Sequence, residues 1–241
     1  MINSFKSVAK FILAVLLTSC LLISITTNFP QRLYTIINGR IMIRNKVWPY
    51  AEVIAIRKRL EEKNKPRIVM FGDSLTEWGP WKNDSFDYKF VNLGVGGNTT
   101  ANLLNRIHQV KAVSPSAVYI MAGVNDIFTE IPQEQTIKNY ADILDSLKSN
   151  EFKVIVTSTL PLSSLNSKYV ETNSKIQALN SRLRKLAVDR GVEYYDLAKE
   201  LVLTDVFVLP NNLTVDSVHL STLAYSKWVL SLTEKLRGSR H

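Results

Sequence analysis

The chain has 241 residues, 46% hydrophobic and 21% charged, with one cysteine, three histidines and a net charge of +9. It is apolar enough to bury a core. The lone Cys20 excludes an internal disulfide or a cysteine-built zinc site, and His108, His219 and His241 leave little for a histidine-rich metal centre. Residues 1–66 hold 11 of the 30 Lys and Arg and 3 of the 21 Asp and Glu, so +8 of the +9 lies there and the rest is nearly neutral, with no basic stripe interleaved with aromatics to suit nucleic acid.

Lys6 and Lys10 precede an uncharged run from Phe11 to Thr27, 17 residues long. That is the short end of the span, about 17–25 residues, that crosses a bilayer as a helix. No polar face interrupts it, which argues against a buried core helix. We read residues 1–28 as a retained signal anchor. A cleaved signal peptide is an alternative, without an Ala-x-Ala-like site. A third reading is a lipoprotein, because Leu17-Thr18-Ser19-Cys20 looks like a lipobox, but the apolar run continues past Cys20 to Ile25. Arg32, Arg40, Arg44 and Lys46 follow the span, so charge counting near the membrane is close to a tie and leans toward a cytoplasmic domain. The short basic start looks instead like an export signal, and we favour an extracytoplasmic domain over a cytoplasmic-facing one.

Residues 29–66 read as a basic connector suited to anionic lipid headgroups. A helix is expected from Pro49 to about Lys63, with Val53, Ile56 and Leu60 on one stripe and Pro66 ending it. From residue 67 to 241 strand-like and helix-like runs alternate in a single domain. The strands are expected at 67–71, 89–93, 117–122, 152–158 and 192–196, and the helices at 99–113, 133–149, 170–190 and 222–237. Ile137, Tyr140, Ile143, Leu144 and Leu147, for example, recur at helical spacing. Apolar strands alternating with helices imply an α/β sandwich around a parallel sheet, with ligands at the carboxyl ends of the strands.

Four segments at such ends could carry chemistry. Gly72-Asp73-Ser74-Leu75 follows the first strand. A serine there has its hydroxyl above the sheet and its N–H at a helix start, which suits a nucleophile that must also hold an oxyanion. On its own it is equally an N-cap. Asn92 to Thr99 contains Gly94, Gly96 and Gly97, which suggest positive φ or backbone close to a ligand; a tight turn ahead of a helix is the alternative. No phosphate-loop or dinucleotide pattern follows. Gly123-Val124-Asn125-Asp126 offers an Asn side chain that donates to an oxyanion or, as readily, makes an Asx-turn. Asp216 stands three residues before His219, where a carboxylate can fix the imidazole tautomer. His108 lies among polar helix residues and His241 ends the chain, so the role of base falls to His219. Asp73 and Asp126 read as loop-forming carboxylates. Trp78 and Trp81 are candidates for the wall of an acyl or sugar pocket, or equally for core or rim.

These four blocks, in this order, resemble the SGNH (GDSL-type) hydrolase superfamily over residues 67 to about 230. Gly96-Gly97-Asn98-Thr99-Thr100 is most similar to the small esterases of the platelet-activating-factor acetylhydrolase type. The resemblance implies a flavodoxin-like three-layer sandwich with a five-stranded parallel sheet. It implies Ser74 as nucleophile, His219 as base and Asp216 as orienting acid, with the Ser74 N–H, the Gly97 N–H and the Asn125 side chain as the oxyanion hole. It implies no metal and no cofactor. The expected function is a membrane-anchored serine esterase acting on short-chain acyl or acetyl esters of lipid or glycan. An acyltransferase acting on a cell-surface glycan and a catalytically silent binding domain are the alternatives.

Overall fold

The computed structural model describes residues 66–81, 88–148, 151–202 and 206–238. The expected anchor over 1–28 and the connector over 29–66, Pro66 excepted, lie outside these residues. Among the described residues no helix is long and apolar enough to cross a membrane.

Five strands form one sheet: β1 (Arg67–Gly72), β2 (Lys89–Gly94), β3 (Ala117–Met121), β4 (Lys153–Thr157) and β5 (Glu193–Tyr195). Every pair is parallel and the spatial order is β2-β1-β3-β4-β5, the flavodoxin-like order. The switch in strand order lies at β1, between β2 and β3. The segments that follow these three strands therefore meet at one end of the sheet.

Side-chain alternation along the strands feeds two cores. Ile68, Met70, Tyr119, Met121 and Ile155 pack on one face, under α7 (Leu197–Leu201) and α8 (Thr222–Gly238). Val69, Phe71, Val118, Ile120 and Val156 pack on the other, under α3 (Ile107–Val113), α5 (Gln133–Leu147) and α6 (Tyr169–Arg190). The sheet is thus covered on both sides, as a parallel sheet of near-continuous apolar strands requires. Tyr140, Ile143, Leu144 and Leu147 of α5 are all buried, and full burial of an aliphatic side chain such as Leu144 contributes about 1.5–3 kcal/mol.

The helix expected over 99–113 is two helices. α2 (Thr100–Asn105) starts on a reciprocal cap between Thr99 and Asn102, and α3 starts again after Arg106. Arg106 has φ −114° and ψ 18°, outside helical geometry, because its side chain turns into the sheet to bond backbone carbonyls there. Three short helices were not expected from periodicity: α1 (Ser74–Glu77), α4 (Val124–Phe128) and α7.

Candidate active site

The turn after β1 is built by Asp73. It caps α1 in an extended conformation, and its Oδ1 accepts from the Leu75 amide at 3.0 Å. Ser74 is therefore the first residue of a helix, where an amide has no intrahelical acceptor. Two aromatic side chains fix this short helix. Trp81 Nε1 donates to the Thr76 carbonyl (2.7 Å), and the Tyr225 hydroxyl of α8 donates to the Leu75 carbonyl (2.9 Å).

The loop ahead of α8 brings Asp216 and His219 to Ser74. His219 Nε2 lies 2.9 Å from Ser74 Oγ, and His219 Nδ1 lies 2.6 Å from Asp216 Oδ2. An ionised carboxylate only accepts, so Nδ1 carries the proton and Nε2 is left to accept from the serine hydroxyl. Asp216 Oδ1 also accepts from the amides of Val218 (3.0 Å) and His219 (2.7 Å). Partial burial acts to raise the Asp216 pKa. The His219 ring and the two amides outweigh it and hold the carboxyl down at about 2. Between them Ser217 sits at φ 78°, a conformation uncommon for a residue other than glycine, and its carbonyl accepts from the Ser163 amide at 3.0 Å. Trp78 stacks on the imidazole, with centroids 4.0 Å apart and planes at 22°.

The other two loops supply donors. Of Gly94, which ends β2, and Gly96 and Gly97, which follow it, only Gly97 has positive φ, at 73°. Gly96 donates to Glu77 Oε2 (2.9 Å), and a Cβ on it would lie 3.8 Å from that of Ser74, so this loop runs beside the serine. The amides of Ser74 and Gly97 meet no acceptor among the described residues. Asn125 lies not at a strand end but in the first turn of α4. Its Nδ2 donates to the Asn98 carbonyl at 3.0 Å and faces Asp73 Oδ2 at 3.4 Å. Asp126 is buried and ties the two loops together: it accepts from the Thr100 amide (3.0 Å) and the Thr100 hydroxyl (2.5 Å).

The five residues Ser74, Gly97, Asn125, Asp216 and His219 thus come from segments at the same end of the sheet, Ser74 and Asn125 from the first turns of short helices and the other three from loops. Of the two tryptophans, Trp78 is 52% exposed at the site, whereas Trp81 is 3% exposed and packs edge-on to Trp228 in the core. His108 is exposed, and His241 lies outside the described residues. Among the described residues no group of three or more His, Cys, Asp and Glu side chains is placed to hold a metal ion.

Arg106 is a further member of this region that sequence reasoning passed over. It is buried, and it bonds the carbonyls of Gly72 and Leu93 and the side chain of Asn98. One signal was present: Arg106 lies three residues after Leu103 and four before Val110, on the apolar stripe of its segment.

Comparison with known proteins identifies the family and the fold. The sequence pattern of the GDSL-like lipase/acylhydrolase family matches residues 70–227. No curated protein sequence matches the chain. Among solved structures, a Streptococcus pneumonia protein named for platelet activating factor is 22% identical, with a TM-score of 0.67 over 85% of this chain and 99% of its own. A Bacteroides fragilis NCTC 9343 protein named as an acylhydrolase is 27% identical, with a TM-score of 0.67 over 82% of this chain and 100% of its own. An acetylxylan esterase from Geobacillus stearothermophilus, solved as a catalytic mutant, shares the fold at 18% identity, with a TM-score of 0.58 over 69% of this chain and 92% of its own.

Proposed function

The chain belongs to the GDSL-like lipase/acylhydrolase family and is a carboxylic ester hydrolase, and from that footing we propose that it works through an acyl-enzyme on Ser74. The observation that carries this reading is the hydrogen-bonded line from Ser74 Oγ through the His219 ring to Asp216, at 2.9 and 2.6 Å. Ser74 Oγ attacks the ester carbonyl carbon while His219 Nε2 takes the hydroxyl proton. Asp216 holds the Nδ1 proton and stabilises the imidazolium that forms. The negative charge that develops on the carbonyl oxygen is met by the Ser74 and Gly97 amides and by the Asn125 side chain. His219 then gives its proton to the departing alkoxide, and the alcohol leaves. Water, deprotonated by His219, attacks the acyl carbon, and Ser74 recovers its proton as the acid departs.

The substrate class in this reading is a short-chain acyl or acetyl ester of a lipid or glycan. The names carried by the structural neighbours support it, one referring to platelet activating factor and one to an acetylxylan esterase. The test is hydrolysis of p-nitrophenyl acetate and butyrate by the full chain and by Ser74→Ala. The variant is expected to retain the fold by circular dichroism and to lose activity, together with labelling by a fluorophosphonate probe. Full turnover by a folded Ser74→Ala would overturn the assignment of the nucleophile.

A further inference from the structure

Arg106 is an arginine placed where an apolar residue would fit the pattern, and burying a guanidinium costs free energy unless its donors are used. They are used on the loops of the site. Nη2 donates to the carbonyl of Gly72 (2.8 Å), two residues before Ser74. Nη1 donates to the carbonyl of Leu93 (2.6 Å), where β2 opens into the glycine loop. Nε donates to Asn98 Oδ1 (2.7 Å), next to Gly97. Nη1 also faces Gln109 Oε1 at 3.4 Å, and the guanidinium lies 4.4 Å over the Phe71 ring. Burial pulls the guanidinium pKa down to about 10, against the opposing charges of Asp73 and Glu77, so it remains a cation at neutral pH.

We propose that Arg106 is a positioning residue that fixes the nucleophile loop and the oxyanion loop relative to each other. A guanidinium is planar and its donors are rigidly spaced, so Gly72 and Asn98 cannot move apart without breaking a bond to the same flat group. The far side of the glycine loop is held independently, by Asn125 on the Asn98 carbonyl and Asp126 on the Thr100 amide. Between these holds the Gly97 amide is kept pointing at one place. This inference rests on the proposed roles of Ser74 and Gly97. It adds that the geometry between them is set by one buried cation, which touches neither substrate nor reacting atoms. Lysine cannot replace it, because a single ammonium cannot reproduce the fork.

The test is steady-state hydrolysis of p-nitrophenyl acetate by Arg106→Lys, Asn98→Ala and Asn125→Ala, with Ser74→Ala alongside and with folding followed by circular dichroism and thermal melting. A displacement of about 1 Å in a reacting group can cost about 10²-fold in rate. Arg106→Lys is therefore expected to lower kcat by about that factor with KM little changed. Asn98→Ala removes one of the bonds and keeps the cation, so it tests the clamp even if Arg106→Lys does not fold. It is expected to lower kcat in the same sense by a smaller factor. Combined with Asn125→Ala, which loosens the same loop, either substitution should cost less than the product of the single effects. Unchanged kcat in folded Asn98→Ala or Arg106→Lys overturns the inference, as does a lowered melting temperature with kcat intact, while an inactive Ser74→Ala would leave the esterase reading standing. Activity in Ser74→Ala would overturn both.

Discussion

The Asn125 side chain has one nitrogen and two demands on it. Its Nδ2 carries two hydrogens; one is committed to the Asn98 carbonyl at 3.0 Å, and the other faces Asp73 Oδ2 at a long 3.4 Å. In the proposed mechanism the second hydrogen is the one left for the developing oxyanion, while the first keeps its hold on the glycine loop. The exchange costs little because the contact is long and because Asp73, whose burial raises its carboxyl pKa to about 7, is below that pH a neutral acid and so a weaker acceptor than a carboxylate. Removing one oxyanion donor costs about 10²–10³-fold in kcat. Asn125→Ala is thus expected to lower kcat by at least about 10²-fold and to leave KM nearly unchanged, because the interaction strengthens only as charge develops. Steady-state kinetics on a short ester checks it, and a raised KM with kcat intact would remove Asn125 from the oxyanion set. Ser74 and His219 were legible from the sequence for a different reason. A serine just past an apolar strand and a histidine with a carboxylate three residues before it are local patterns. The bond that joins them spans 145 positions, and only the fold supplies it.

At the level of elements, the parallel sheet and the long helices were readable because each repeats its signal. β1 from Ile68 to Phe71 and the whole of β3 are unbroken apolar runs, and α5 shows five apolar residues at helical spacing. The helices α1, α4 and α7, of four or five residues, are about one turn long, too short to display a period, and tertiary contacts hold them in place. The break at Arg106 was invisible for a related reason: local pattern favours one helix, and the cause of the break lies in carbonyls 13 and 34 residues away. Gly94 shows how tightly α1 sits on β2. A Cβ added there would lie 2.6 Å from Glu77 Cα and 2.7 Å from the Thr76 carbonyl carbon, and these are backbone atoms with no rotamer to change. Gly94→Ala must push the end of β2 off α1. Overpacking of this kind costs about 1–3 kcal/mol. We expect a urea midpoint lowered accordingly and a reduced kcat, since α1 begins with Ser74. A variant as stable and as active as the parent would show that the two elements can separate without consequence.

Over the whole molecule, two carboxyls at the site pull stability in opposite directions as pH changes. Burial raises Asp73 from an ordinary 3.8 to about 7. The Leu75 amide and the charge of His219 oppose the rise and the charge of Asp126 adds to it, while the Arg106 cation is near enough to feel Asp73. Between about pH 4 and 7 the folded chain keeps a proton on Asp73 that the unfolded chain has released. The contribution of this group is therefore complete at low pH and is lost as pH rises through 7. Asp216 behaves the other way. Its pKa is held down at about 2, so its contribution is present above about pH 4 and lost as pH falls through 2, and because the side chain is 48% exposed that contribution is small. Above pH 4 the Asp73 effect governs the pair. At about 1.4 kcal/mol per pH unit, the parent is expected to lose on the order of 2–3 kcal/mol between pH 5 and pH 8 from this group. Asp73→Asn keeps an oxygen to accept from the Leu75 amide and cannot ionise, so it should lose much less over the same interval. Urea denaturation of both chains at pH 5 and pH 8 measures the difference. Equal losses in parent and variant would mean that Asp73 is ionised in the folded protein throughout this range, and that its negative charge is balanced by the Arg106 cation and the donors of the site.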